Sequence, residues 1–235
     1  MEESQPRRPL RERCQGVGSS SRLPRLSASY QQYLEDHDSA AFLAAVSACY
    51  SSGTLQRLAQ HAHREIRRAA VLALGFLGDY EANHILGCGL LDSDRTVRTL
   101  AENSIRCVWM RAGTPLERRE LDVLIRLGAA RQFEEVIRRA TRLLETSPTL
   151  AEAWNQRGTA HYALGRFAET VRDCHEALEI NPYHFIAATS MGRAYLELGN
   201  AVSALECFRR ALRLNPDLEG VRLQVTRLSR LVEDR

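Results

Sequence analysis

The C-terminal half of the chain repeats itself at an interval of 34 residues. The stretch EALEINPYH at 176–184 returns as RALRLNPDL at 210–218, and the whole of 151–184 aligns with 185–218 without a gap. A unit of this length holds about two short helices, each of which would be marginal alone. The repeat therefore predicts a stack in which neighbouring units share one hydrophobic core.

The residue types within the unit fit a helix, a turn and a second helix. Gly158 lacks a side chain where the two helices approach each other, and Gly165 permits the tight turn between them. Pro182 ends the second helix, because the residue before a proline disfavours the helical conformation. The same three residue types recur one period later, and the segment 117–150 keeps part of the pattern.

This period, with glycine, alanine and proline at these positions, resembles the tetratricopeptide repeat. The sequence departs from that family at Arg157, His161 and Thr170, where an apolar residue, an aromatic residue and an alanine are usual. The resemblance implies three units and a C-terminal capping helix over 114–235. It also implies that the first helices of the units line a concave surface.

A second repeat, offset by 31 residues, lies upstream of the first. The stretch EIRRAAVLALGFLG at 65–78 aligns with TVRTLAENSIRCVW at 96–109. This pattern resembles HEAT repeats, which implies a short stack of helix pairs over 29–113. The expected structural ion pairs join Asp92 or Asp94 to Arg67 or Arg98.

The two repeat sets together predict an all-α solenoid of antiparallel helix pairs, a HEAT-like stack that runs into a tetratricopeptide stack. The stacks are expected to join end to end near 110–120 as one superhelix, with a hinge around 111–117 as the alternative. Residues 1–28 are rich in arginine, serine and proline and poor in apolar residues. Such a segment cannot bury enough surface to offset its ordering entropy, so we predict a disordered tail there.

The composition argues against several classes of function. A formal net charge of +3 is too small to indicate a nucleic-acid or membrane partner. The six cysteines include no CxxC pair, which argues against a disulfide framework or a zinc site. The longest apolar run, at 69–78, is about half the length of a membrane span. We therefore expect a cytoplasmic protein without a membrane span.

The sequence contains no convincing constellation for catalysis or for a cofactor. His61 and His63 lack a third ligand nearby. His84 and Cys88 lie four residues apart with Asp92 one turn further on, but two partly buried helix residues are the preferred interpretation. Phosphate loops and nucleophile motifs are absent. We predict a protein that is not an enzyme and that has no cofactor or metal.

The concave surface implied by the resemblance is the candidate site. Its inward-facing positions follow i, i+4 and i+7 spacing along the first helices. The predicted partner-binding residues are Leu121, Ile125, Glu152, Asn155, Thr159, Tyr162, Ile186, Thr189, Arg193 and Leu196. Apolar residues are mixed with a few polar ones among them, which suits an extended peptide or a partner helix. The alternative is a groove that the chain's own HEAT-like half or its tail covers, or one that is simply solvated.

The predicted function is that of a protein-interaction scaffold or adaptor whose partner is a protein or a peptide. One alternative is a phycobilisome-lyase-like chromophore-handling or enzyme-accessory factor. The other is a nucleic-acid-associated HEAT module, although a nucleic-acid partner is not favoured. Its arginines would be Arg57, Arg64, Arg67, Arg68, Arg95 and Arg98.

One subclass of tetratricopeptide domain clamps the acidic C-terminal tails of chaperones. The resemblance implies that such a clamp needs lysine or arginine and asparagine at fixed positions of the groove. The matching positions here hold Leu121, Ile125, Gln156, Ile186 and Ser190. None of these is basic, so we predict that the chain has no acidic-tail clamp.

Overall fold

The computed structural model describes residues 25–233, and the regular secondary structure in that range is entirely helical. A single 3-10 turn at Tyr80–Ala82 precedes the fifth α-helix. The α-helices of the described range are α1 (Arg25–Asp36), α2 (Ser39–Ser47), α3 (Ser52–Leu58), α4 (Arg64–Leu77), α5 (Asn83–Gly89), α6 (Arg95–Met110), α7 (Pro115–Ala129), α8 (Phe133–Thr146), α9 (Ala151–Ala163), α10 (Phe167–Ile180), α11 (Phe185–Glu197), α12 (Ala201–Leu214) and α13 (Glu219–Glu233).

The C-terminal helices follow the 34-residue repeat closely. They pack as antiparallel pairs α7–α8, α9–α10 and α11–α12, and α13 packs against α12. Gly165 and Gly199 have φ of +73°, the left-handed conformation that glycine adopts at little cost. A Cβ on Gly192 would lie 2.7 Å from the Phe208 ring, so the close approach of α11 and α12 requires a glycine there. The predicted all-α solenoid of helix pairs is confirmed.

The first helix begins earlier than the predicted tail boundary. Residues 25–28 lie in α1, where Leu26 and Ser27 are buried and the Leu26 amide donates a hydrogen bond to the Tyr50 hydroxyl. The remainder of the predicted tail, 1–24, lies outside the described residues.

The N-terminal half contains one of the expected ion pairs, and Arg98 takes a partner that was not expected. Arg67 on α4 donates two hydrogen bonds of 2.7 Å to Asp92, which confirms this pair. Arg98 on α6 donates to the backbone carbonyls of Asp92 and Ser93 in the turn before its own helix, but its carboxylate partner is Asp217, 2.8 Å away. Asp217 lies in the turn before α13. The C-terminal half therefore supplies the carboxylate that pairs with Arg98.

Helix α6 docks side-on against the turns between the C-terminal units. The Trp109 ring stacks on the His184 ring with 4.3 Å between centroids, and Phe185 belongs to the hydrophobic core of the N-terminal half. The Trp109 indole donates to Asn83, whose amide donates in turn to Asn181. Helix α6 contacts α7 as well as these turns, and Met110 at its end packs against the core of the first C-terminal unit. The expected continuous superhelix near 110–120, with its alternative of a hinge at 111–117, stays a prediction.

Candidate functional site

Three of the ten predicted partner-binding residues are buried within the chain. Leu121 is fully buried in the core of the first C-terminal unit, and Glu152 and Asn155 retain only 7% and 3% exposure. The Glu152 carboxylate accepts hydrogen bonds from His184, Asn155 and Gln156. These three side chains are committed to internal contacts and do not belong to an exposed site.

Four other predicted residues lie together in a depression on the concave side. Tyr162 on α9 and Thr189, Arg193 and Leu196 on α11 line a space of about 450 Å³. The opposite wall is the start of α13. The Tyr162 hydroxyl donates to Glu197 at 3.4 Å, and partial burial raises the pKa of that phenol. Sequence reasoning therefore identified one continuous part of this surface.

A second depression of about 420 Å³ adjoins the first and shares Thr189 and Arg193 with it. Ile186 lies on its floor, and Glu102 and Arg106 of α6 form one wall. We call the two depressions together the concave groove; α11 is its floor, and α6 and α13 are its walls. The N-terminal half borders this groove without filling it.

Two predicted residues lie outside the concave groove. Thr159 is exposed, and its hydroxyl donates to the Asn155 carbonyl, while Ile125 is 39% exposed on α7. Neither residue lines the two depressions. The structure therefore extends the candidate site toward α13 rather than toward α7.

Sequence reasoning missed the wall residues of the groove. Gly220 and Gln224 of α13 stand one repeat period after Ile186 and Ser190, which also line it. Treating α13 as a further first helix would have found them. Arg106 carries no such signal, because α6 belongs to a different repeat.

The arginines of the nucleic-acid alternative are largely engaged. Arg67 pairs with Asp92, and Arg98 with Asp217. Arg68 donates two hydrogen bonds to Asp94, and these bonds lower the pKa of Asp94 to about 2. Three of the six arginines named for the nucleic-acid alternative are therefore paired with carboxylates.

The histidine and cysteine candidates do not converge on a metal or catalytic site. The His84 ring contacts the Tyr183 hydroxyl at 2.5 Å and the Cys88 sulfur at 3.9 Å, while Asp92 is held by Arg67. Burial raises the pKa of the Cys174 thiol to about 12. Within residues 25–233, no group of three or more metal-ligating side chains comes together. No helix in the same range is both long and apolar enough to cross a membrane.

Comparison with known proteins identifies the C-terminal repeats. Models of the tetratricopeptide repeat match residues 151–184 and 187–218. These two segments are tetratricopeptide repeats, as their period predicted, whereas the HEAT-like assignment of 29–113 stays a prediction. No curated protein sequence matches the chain.

Two solved structures resemble the chain. The first tetratricopeptide domain of Spaghetti (RPAP3), bound to the HSP90 peptide SRMEEVD, is 20% identical, with a TM-score of 0.48, 50% of this chain covered and 93% of that one. The TPR2AB domain of yeast Sti1 in complex with pHSP90 is 17% identical, with a TM-score of 0.45, 87% of this chain covered and 97% of that one.

Proposed function

We propose that the chain is a non-catalytic scaffold that binds an extended peptide or a partner helix in the concave groove. The observation that carries the proposal is the composition of the groove. Ile186, Leu196 and the Tyr162 ring offer apolar contacts, and Arg193 and Thr189 offer hydrogen bonds beside them. A partner segment of mixed character can satisfy both kinds of group at once.

Charge in the groove favours a partner segment that is not uniformly acidic. Arg106 and Arg193 line it, but so do the carboxylates of Glu102, Glu197 and Glu219. Opposite charges at short intervals select a partner by register more than by net charge. Nothing comparable supports the chromophore-handling alternative, and the paired arginines count against the nucleic-acid one.

The proposal is tested by crosslinking a partner protein from the groove of the 235-residue chain. A photoreactive benzoylphenylalanine at Gln224, on the groove wall, is expected to form adducts that the same probe at Arg172, exposed on α10, does not form. Tyr162→Ala/Arg193→Ala is expected to reduce the yield of these adducts about tenfold or more. Truncation of anchor residues at an interface commonly weakens binding by that factor.

A matched variant controls for general effects on the chain. Val202→Ala/Arg172→Ala removes one apolar side chain and one arginine from exposed positions outside the groove. It is expected to leave the adducts from Gln224 unchanged. Equal adducts from Gln224 and Arg172, or full retention of every adduct in the groove variant, would show that the partner binds elsewhere.

The predicted absence of an acidic-tail clamp can be tested separately. Calorimetric titration of the full chain with the peptide SRMEEVD is expected to give no heat of binding. At the positions where a clamp would need cations, Leu121 is buried, the Gln156 amide donates to Glu152, and Ile186 packs against the N-terminal core. A tight complex with this peptide would contradict the prediction. The same peptide in reversed sequence controls for binding that depends on net charge alone.

A further inference from the structure

A cavity of about 320 Å³ lies where the end of α6, the start of α7 and the first turn between C-terminal units meet. It is separate from the concave groove and has no lining residue in common with it. Its walls carry two aromatic rings, Tyr80 and Trp109, and two carboxylates, Glu117 and Glu152. The space suits one long side chain or one small molecule rather than a segment of secondary structure.

Both carboxylates that line the cavity are held in the charged form. Hydrogen bonds from Ser147 and from the Thr114 amide lower the pKa of Glu117. Burial alone would raise the pKa of Glu152, but its bond from His184, with those from Gln156 and Asn155, brings the pKa below its ordinary value.

His184 contacts Glu152 without itself lining the cavity. Its Nδ1 accepts a hydrogen bond from the Ala187 amide, so the ring carries its proton on Nε2 and donates it to the Glu152 carboxylate. None of the described residues that line the cavity is an arginine, a lysine or a histidine. Two anions therefore face a partly apolar space without a cation among the lining side chains.

The aromatic rings add to the same preference. A ring presents a negative face, and a cation within about 6 Å of such a face is attracted to it most strongly where water is excluded. Trp109 is only 2% exposed and Tyr80 is half-buried, so both are held in a largely dry environment. Carboxylates and aromatic rings in one cavity are the groups that recognise guanidinium and alkylammonium ions.

A donor without a partner also lines the cavity. Asn181 is fully buried, and its Oδ1 accepts from the Asn83 side chain and from the Tyr183 amide. Its Nδ2 has no hydrogen-bond partner among the described residues. A buried donor left in this state is costly, so a ligand that brings an acceptor oxygen would be favoured.

We propose that this cavity binds a guanidinium or alkylammonium group whose carrier also presents an acceptor oxygen, as an arginine side chain in a peptide does. The cation lies between Glu117 and Glu152 against the aromatic rings, and a carbonyl oxygen accepts from Asn181. The site is independent of the concave groove, so either one can fail without the other.

Calorimetry on the unaltered full-length chain tests the proposal with matched pairs of probes. Methylguanidinium is compared with methylurea, and a short peptide with a central arginine is compared with the same peptide carrying citrulline. The charged member of each pair is expected to bind saturably and the neutral member not to bind. Binding of the peptide alone would assign the site to a peptide side chain, and binding of both would admit free cations as well.

Two variants on α7 test whether the charged probe binds in the cavity. Glu117→Gln removes a charge but keeps the capping box at Thr114, in which glutamine also serves. It is expected to weaken binding of the charged probe about tenfold. Glu120→Gln, whose carboxylate pairs with Arg139 outside the cavity, is expected to leave the affinity unchanged.

An NMR measurement gives a second, local readout. The indole N–H signal of Trp109 is expected to shift during the titration while that of Trp154 does not, and Trp154→Phe distinguishes the two. If that variant does not fold, the comparison of Glu117→Gln with Glu120→Gln decides alone. Equal binding of the neutral probes, no saturation with either charged probe, or an unchanged affinity in Glu117→Gln would each overturn the proposal.

Discussion

Trp109→Ala is expected to lower the free energy of unfolding by about 3–5 kcal/mol, the usual cost of truncating a buried aromatic side chain. The ring stacks on His184, tilts against Phe185 and donates its N–H to Asn83, so one side chain joins the two halves of the molecule. The variant removes this packing and leaves the side-chain oxygen of Asn83 without its donor. Urea denaturation followed by circular dichroism measures the change.

The same variant is expected to loosen the contact between the halves before the chain unfolds globally. Hydrogen exchange in the turn at 181–185 reports this, because α6 covers that turn in the native state. Phe208→Ala, which truncates a ring buried between α11 and α12, is the control. This variant is expected to lower the free energy of unfolding by a similar amount, without faster hydrogen exchange at 181–185. A loss below about 1 kcal/mol in Trp109→Ala, or equal exchange in both variants, would contradict the assigned role of Trp109.

The C-terminal repeats could be predicted from the sequence because their signal is local and periodic. The turn glycines Gly165 and Gly199 and the prolines after α10 and α12 each fix a boundary by their own backbone preferences. The two units carry the same residue types at these positions, so each unit supports the helix boundaries assigned in the other. The register of the helix pairs followed from these residues alone.

The docking of α6 could not be predicted in the same way, because its two sides come from different repeats. No period relates Trp109 to His184, and the chain between them includes the first two C-terminal units. One signal was present. His184 stands where the other two units have Leu150 and Leu218, so the turn at 181–184 departs from the repeat at the residue that meets Trp109.

The candidate site was predicted in part for a similar reason. Helical spacing identifies which face of α9 and α11 is concave, and Tyr162, Thr189, Arg193 and Leu196 lie there as expected. Spacing does not say what covers a face. Near the start of α9 the concave side meets the turn that α6 occupies, so Glu152 is buried although its position on the helix was assigned correctly.

Glu152→Gln, the second large effect, is expected to lower the free energy of unfolding by about 2–4 kcal/mol. The carboxylate accepts from Nε2 of His184 with one oxygen and from Asn155 and Gln156 with the other. A glutamine has one oxygen for these two sides, so its amide group must face a donor. The control Glu179→Gln, on the exposed side of α10, is expected to change stability by less than about 0.5 kcal/mol.

Acidification is expected to narrow the difference in the free energy of unfolding between the native chain and Glu152→Gln. The pKa of Glu152 is lower in the folded chain than its ordinary value of 4.5, because its hydrogen bonds outweigh the effect of burial. A lowered pKa stabilises the fold fully above the ordinary value, and this contribution is lost as the pH falls through the folded-state pKa. The glutamine cannot titrate, so urea midpoints of the two proteins should converge as the pH is lowered below 4.5. A difference that stays constant or grows on acidification would show that Glu152 is not held as a carboxylate in the folded chain.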